Sequence, residues 1–139
     1  MPIELLIVDD SDLVRAGLRA ALGSVAGTAV IRAASTLTEA LASARRDPPT
    51  LVILNLNLPD ALGIDIIQQI KQRSPTLWLA VLAIHAEPGY RRRCLALGAD
   101  WFFDKTTETG ALLEVVRQLV MQNPIINLNQ GIPCEPICQ

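Results

Sequence analysis

A chain of 139 residues, 50% of them hydrophobic, is long enough to bury a substantial core as one domain without disulfides. The formal net charge of -2 argues against a nucleic-acid binder, which carries a basic patch. The longest apolar run, Leu77 to Ile84, is a strand's length and not a membrane span. The opening MPIELLIVDD has no basic n-region, and three cysteines make no disulfide framework, so a cytoplasmic address is expected.

Short apolar runs alternate with segments of helical period. Leu5-Leu6-Ile7-Val8 reads as a strand ending in the acids Asp9 and Asp10. A helix follows with Val14, Leu18, Ala21 and Leu22 at helical spacing and Gly23 as its stop. Thr28 to Arg32 reads as a second, weaker strand. Thr36 and Glu39 form a capping-box pair before a helix with Leu37, Ala40, Leu41 and Ala44 on its apolar face. Pro48-Pro49 ends it.

Leu51-Val52-Ile53-Leu54 is a third strand, followed by a Leu-Pro-Asp turn and a helix carrying Ile66, Ile67 and Ile70. Leu77 to Ala83 is the fourth strand. A short helix from about Pro88 to Leu97 is closed by Gly98, and Trp101-Phe102-Phe103 is the fifth strand. The last helix carries Leu112, Val115, Val116 and Leu119 in one stripe. Strands that are apolar all along are buried on both faces. Five of them interleaved with five helices predict an α/β, flavodoxin-like (βα)5 three-layer sandwich with a parallel sheet of order 2-1-3-4-5.

In such a sheet the functional crevice lies at the carboxyl ends of the strands, which here carry Asp9, Asp10, Asn55, Ala83, Asp104 and Lys105. Adjacent acids before a helix have an ordinary use, favouring the exposed N–H groups of its first turn. They also suit a magnesium ion, which takes carboxylate oxygens and keeps several waters. The pair alone does not choose between the two.

The ordered motifs LLIVDDSDLVRAGL, LVILNLNLP, VLAIHA and LGADWFFDK together resemble the receiver domains of two-component response regulators (CheY-like domains). The resemblance spans about residues 3 to 122 and is nearest to receivers of the nitrate-response and quorum-regulator subfamily. It divides the chain into a receiver domain, 1–122, and a tail, 123–139, with no helix-turn-helix output domain after it. It implies that Asp9 and Asp10 are the acidic pair, Asp10 being the direct magnesium ligand, with Asn55 and the Asn57 backbone completing the set. It places the phospho-acceptor four residues before Pro59, at Asn55. The switch hydroxyl falls on Ala83, the lysine ending the fifth strand on Lys105 and the switch aromatic on Phe102.

Two of these positions depart from the family's pattern. An asparagine amide is a neutral, resonance-committed group that forms no acyl phosphate, and an alanine has no hydroxyl to hold a phosphoryl oxygen. With Asn55 the usual three carboxylates become two, and Lys105 offsets one of them, so weak magnesium affinity at most and no required cofactor are expected. Asn55 precedes the bulky Leu56, so deamidation back to an aspartate is expected to be slow. Asp60 reads as a turn or cap residue and Asp65 as a helix first-turn acid.

The expected function is therefore a pseudo-receiver, a phosphorylation-independent protein-interaction module and not an enzyme. The alternative is an ordinary phosphoacceptor carrying an engineered Asp-to-Asn change at residue 55, against which Ala83 speaks. Expected partners are a sensor kinase, a response regulator, another regulatory protein or a second copy, with no direct nucleic acid and no membrane. The Arg91-Arg92-Arg93 run reads first as a solvated face. Its sharper reading is a homodimer contact through helix 4, strand 5 and helix 5, with Asp100, Asp104, Glu108 and Glu114 of opposite sign. Trp101 is a core residue or an interface anchor. His85 and the cysteines Cys94, Cys134 and Cys138 fit no common zinc spacing. The tail, with Ile125, Ile126, Leu128, Ile132 and Ile137, is too apolar for a solvated linker and is expected to lie on the domain or a partner.

Overall fold

The computed structural model describes residues 3–27, 29–63, 65–84 and 88–122. His85, Cys134, Cys138 and the tail lie outside them. Five strands, β1 (Glu4–Val8), β2 (Val30–Ala34), β3 (Leu51–Asn55), β4 (Trp78–Ala83) and β5 (Trp101–Asp104), form one parallel sheet of order 2-1-3-4-5. They alternate with α1 (Asp12–Val25), α2 (Leu37–Arg46), α3 (Asp65–Arg73), α4 (Pro88–Ala96) and α5 (Thr109–Met121). This is the three-layer architecture expected from the sequence. No helix among the described residues is long and apolar enough to cross a membrane.

The unbroken apolar runs are explained by where alternate side chains go. Leu6, Val8, Val52, Leu54, Leu79 and Val81 face Leu37, Ala40, Ile66, Ile67, Ile70 and Cys94 of α2, α3 and α4. Leu5, Ile7, Leu51, Ile53, Ala80 and Leu82 face Leu18 and Leu22 of α1 and Leu112 and Val116 of α5. Both faces of the central strands are thus dry. Each fully buried leucine or isoleucine contributes roughly 2 kcal/mol.

Three boundaries differ from the sequence reading, each for a physical reason. Gly23 does not stop α1, which continues to Val25 and is capped by Ala26, because Val25 and Ala26 pack on the α1/α5 side of the core. That tertiary gain outweighs the roughly 1 kcal/mol a helical glycine costs. The second strand runs Val30–Ala34, two residues later than read, because pairing with β1 sets its register, Glu4↔Val30 through Val8↔Ala34. The segment after β3 is not a bare turn. Asn57–Leu58 and Ala61–Leu62 pair antiparallel around Pro59-Asp60, and Gly63 closes the unit with φ 70 and an N–H donated to the Leu56 carbonyl at 2.7 Å.

The capping box at α2 is rearranged too. Thr36 Oγ1 accepts from the Glu39 N–H at 3.0 Å, but the Glu39 carboxylate accepts from the Ser35 N–H at 2.9 Å instead of from Thr36. Bonds from the Ser35 backbone and hydroxyl hold the Glu39 carboxyl below its ordinary range.

Candidate functional site

The carboxyl ends of β1, β3 and β4 and the residue after β5 surround an open crevice of about 430 Å³. Its lining includes Asp9, Asp10, Asn55, Asn57, Ala83 and Lys105, brought together from across the chain by the crossovers of a parallel sheet. Of the strand-end residues picked out in the sequence, all but Asp104 line this one cavity. Ser11, Val14, Leu56, Ile84 and Tyr90 also line it; of these, periodicity had marked only Val14, and as part of a helix's apolar face.

Asp9 is buried, only 3% exposed, and each oxygen of its carboxylate has a partner. Lys105 Nζ stands 3.0 Å from Oδ2, and Oδ1 accepts from the Ser11 N–H at 2.9 Å. Ser11 in turn caps α1 by accepting from the Val14 N–H at 3.2 Å, so the acid, the lysine and the helix start are one connected unit. Lys105 is held at its own backbone as well, its N–H donating to the Ala83 carbonyl at 2.8 Å. Asp10 is exposed.

Asn55 ends β3, half-buried, and its amide is used on both sides. Nδ2 donates to the Asn57 carbonyl at 3.1 Å and lies 3.5 Å from Asp10 Oδ1, while Oδ1 accepts from the Asn57 N–H at 3.3 Å. The amide's orientation follows from these contacts, because a flip would set its oxygen against the Asn57 carbonyl and the Asp10 carboxylate. The Asp10 carboxylate and Asn57 carbonyl, two oxygens suited to a hard cation, converge on the N–H₂ of this side chain.

That donor set fits magnesium poorly. Of the two carboxylates, Asp9 is spent on Lys105 and Ser11, and the Asn57 carbonyl and Asn55 Oδ1 are already hydrogen-bonded. Only Asp10 remains as an anionic ligand facing solvent. Among the described residues no cluster of three His, Cys, Asp or Glu side chains has metal-binding geometry. Ala83 contributes a methyl group to the wall, beside Ile84, which is 55% exposed.

Phe102 lies apart from the crevice, buried on the α4 side of the sheet. The Arg91 guanidinium sits 5.2 Å from its ring centroid, donates to the Phe102 carbonyl at 3.0 Å and reaches Glu108 at 2.8 Å. Tyr90 meets the same ring edge-on at 6.3 Å. Glu108 also accepts from the Asp104 N–H at 2.8 Å, and that bond together with Arg91 holds its carboxyl below the usual range. Burial pushes the Tyr90 phenol up, so it stays protonated and donor-competent.

The reading of the arginine run as a solvated face thus holds for Arg92 and Arg93 and not for Arg91, which turns inward. The acids proposed to meet that run across a dimer are engaged within the chain. Asp100 pairs with Lys71 at 3.1 Å, Glu108 with Arg91, and Glu114 with Arg117 at 2.7 Å. Asp104 accepts from the Thr106 N–H at 2.8 Å. Asp60 is a cap, and a distant one: its carboxylate accepts from the Leu37 N–H at 2.8 Å and the Thr38 N–H at 3.0 Å at the start of α2. Asp65 occupies the first turn of α3 as expected.

Residues 5–117 match the family model described as the response regulator receiver domain. The transcriptional activator protein ExaE of Pseudomonas putida is 31% identical over 134 residues, covering 95% of this chain and 63% of that protein. The response regulator protein VraR of Staphylococcus saprophyticus is 28% identical, covering 85% of this chain and 56% of that one. The chain therefore spans about three fifths of the length of these curated relatives. A LuxR-family two-component response regulator from Aurantimonas superposes with a TM-score of 0.77 at 23% identity, over 87% of this chain and 86% of that one. A putative response regulator from Chloroflexus aurantiacus superposes with a TM-score of 0.75 at 25% identity, over 88% and 100%. By its fold, by the residues gathered in its crevice and by these matches, the chain belongs to the response regulator receiver domain family.

Proposed function

We propose that this receiver domain regulates by binding a protein partner and does so without being phosphorylated. The observation that carries the reading is the Asn55 amide. Its N–H₂ stands between the Asp10 carboxylate and the Asn57 carbonyl, where a carboxylate at this position would need a cation to hold the same groups together. Acyl-phosphate formation needs an anionic oxygen to attack phosphorus, and the carboxamide supplies none. Ala83 removes the hydroxyl that would hold the transferred group, so the two departures reinforce one another.

Three consequences belong to the same proposal. Asp9 and Lys105 act as a structural ion pair, Asp10 binds magnesium weakly at most, and no cofactor is required. Phe102, held by Arg91 and Tyr90, keeps the face formed by α4, β5 and α5 in one arrangement, and that face is the partner surface. Its partner is a protein of a two-component system, a sensor kinase or regulator, or a second copy of this chain.

The test is intact-mass measurement after incubation with acetyl phosphate and magnesium. No gain of a phosphoryl group is expected. A phosphoryl adduct mapping to the crevice ends the proposal. The other reading, an ordinary phosphoacceptor with a changed residue 55, predicts that Asn55→Asp alone restores efficient phosphorylation. The missing hydroxyl at Ala83 predicts that it does not.

A further inference from the structure

We propose that the groove between the carboxyl-terminal halves of α2 and α3 binds a small amphipathic anion, an apolar tail with a carboxylate or phosphate head. The groove lies toward the amino-terminal edge of the sheet, away from the crevice, and the inference does not depend on what residue 55 does. It encloses about 360 Å³, toward the lower end of the roughly 300–1,000 Å³ of small-molecule clefts. Its apolar lining is Leu41, Ala44 and Pro48 from α2 and the turn after it, with Ile70 from α3. Ala44 and Ile70, 6% and 3% exposed, form the floor, and Leu41 is half-buried.

The sequence explains why space remains there. Leu37 and Ala40 of α2 share a core cluster with Ile66, Ile67 and Ile70 of α3. Further along, each wall carries a small residue, Ala44 on α2 and Ser74 directly after α3, and side chains of that size leave the gap between the helices open. Close-packed interiors seldom leave such a space beside apolar side chains.

The charged part of the lining is of one sign. Arg45 and Arg73, both exposed, come from the last turns of the two helices onto this one cavity, and no acid lines it. A basic residue in a last turn suits the helix dipole, and Arg46, outside the lining, needs no further use. Nearby cations are occupied: Lys71 pairs with Asp100, and Arg32 holds the Ser43 carbonyl and Glu4. Among the described residues Arg45 and Arg73 have no hydrogen-bond or ion-pair partner. A guanidinium fork matches carboxylate and phosphate oxygens, and the Ser74 hydroxyl on the same lining is a further donor. A tail laid over Leu41, Ala44 and Ile70 therefore brings an anionic head to two uncommitted cations, where an amine would be repelled.

The experiment follows backbone amide shifts of the isotope-labelled full-length chain during titration with hexanoate, octanoate, decanoate and octyl phosphate, with octanol and octylamine as controls. The anions should shift residues 41–48 and 70–74 and leave Asp9, Asn55 and Lys105 unmoved. Each pair of added methylenes should tighten binding about tenfold. The tighter of octanoate and octyl phosphate identifies the head. The double variant Arg45→Gln with Arg73→Gln changes only exposed side chains, so it should fold as the parent does and bind octanoate about tenfold more weakly. Ala44→Leu should fill the floor and abolish binding of every tail; if that buried change prevents folding, the arginine variant still decides. Three results each overturn the site: no anion-induced shifts at these residues, octanol or octylamine binding as tightly as octanoate, or unchanged octanoate affinity in the arginine variant. None of these readouts involves phosphorylation, so such a failure would leave the reading of Asn55 standing.

Discussion

Exchanging one oxygen for an N–H₂ at residue 55 changes what the crevice needs as well as what it can react with. As a carboxamide, Asn55 donates to Asn57 and points at Asp10, so the carboxylate and carbonyl there meet a donor. Asn55→Asp would turn that donor into a third negative charge facing Asp10 and Asn57, with Lys105 already committed to Asp9. Without divalent cations this variant should be destabilised by on the order of 2 kcal/mol in urea unfolding. Magnesium should restore most of that loss and leave the parent's midpoint almost unmoved. A variant as stable as the parent in chelator, or a parent stabilised by magnesium to the same degree, would show that the amide is not standing in for a cation.

At the scale of elements, the hairpin after β3 and the start of α2 are joined by one side chain. Asp60 takes the N–H groups of Leu37 and Thr38 and the Thr38 hydroxyl, supplying from 22 positions away the cap that Thr36 alone leaves incomplete. The Thr38 hydroxyl and the two N–H groups hold its carboxyl below the ordinary value of 3.8, so the folded state favours the ionised form. Its contribution is therefore complete above that ordinary value and disappears as pH falls through the lower folded-state value. Asp60→Ala should lower the urea midpoint at neutral pH and speed amide exchange in the first turn of α2, and the gap between parent and variant should close in acid. A gap that stays constant with pH would mean the carboxylate does not cap. The sequence already suggested a cap or turn at Asp60, but not its reach, because no periodicity records a contact between a turn and a distant helix. What was legible follows the same logic. Uninterrupted apolar runs revealed buried parallel strands, and from their order came the crevice and its residues. Two-residue strands such as Asn57–Leu58 are too short to show a period. Arg91's inward turn depends on a ring and a carboxylate from β5 and its loop, which no local pattern contains.

Across the whole molecule, the crevice and the α4–β5–α5 face are linked through β4, which ends at Ala83, and its neighbour β5, which carries Phe102. Transmission between two sites requires an element with two arrangements that both sites can bias. Here the crevice end of that link carries a methyl group at Ala83. Its far end is held by the Arg91 guanidinium on the Phe102 ring and carbonyl and by Glu108, which also fastens the Asp104 N–H. On the proposed reading, a ligand mimicking a phosphoryl group finds no hydroxyl at residue 83 to draw on the link and should not shift it. Hydrogen exchange measured with and without beryllofluoride and magnesium should accordingly be the same over α4, β5 and α5. Arg91→Ala should act where the ligand does not, speeding exchange in α4 and β5 several-fold and leaving the central strands β1 and β3 unchanged, since the arginine's contacts are confined to that edge of the sheet. Slower exchange over α4 and β5 on adding beryllofluoride would mean that the crevice still drives the face, and that the arginine clamp is a resting position the domain can leave.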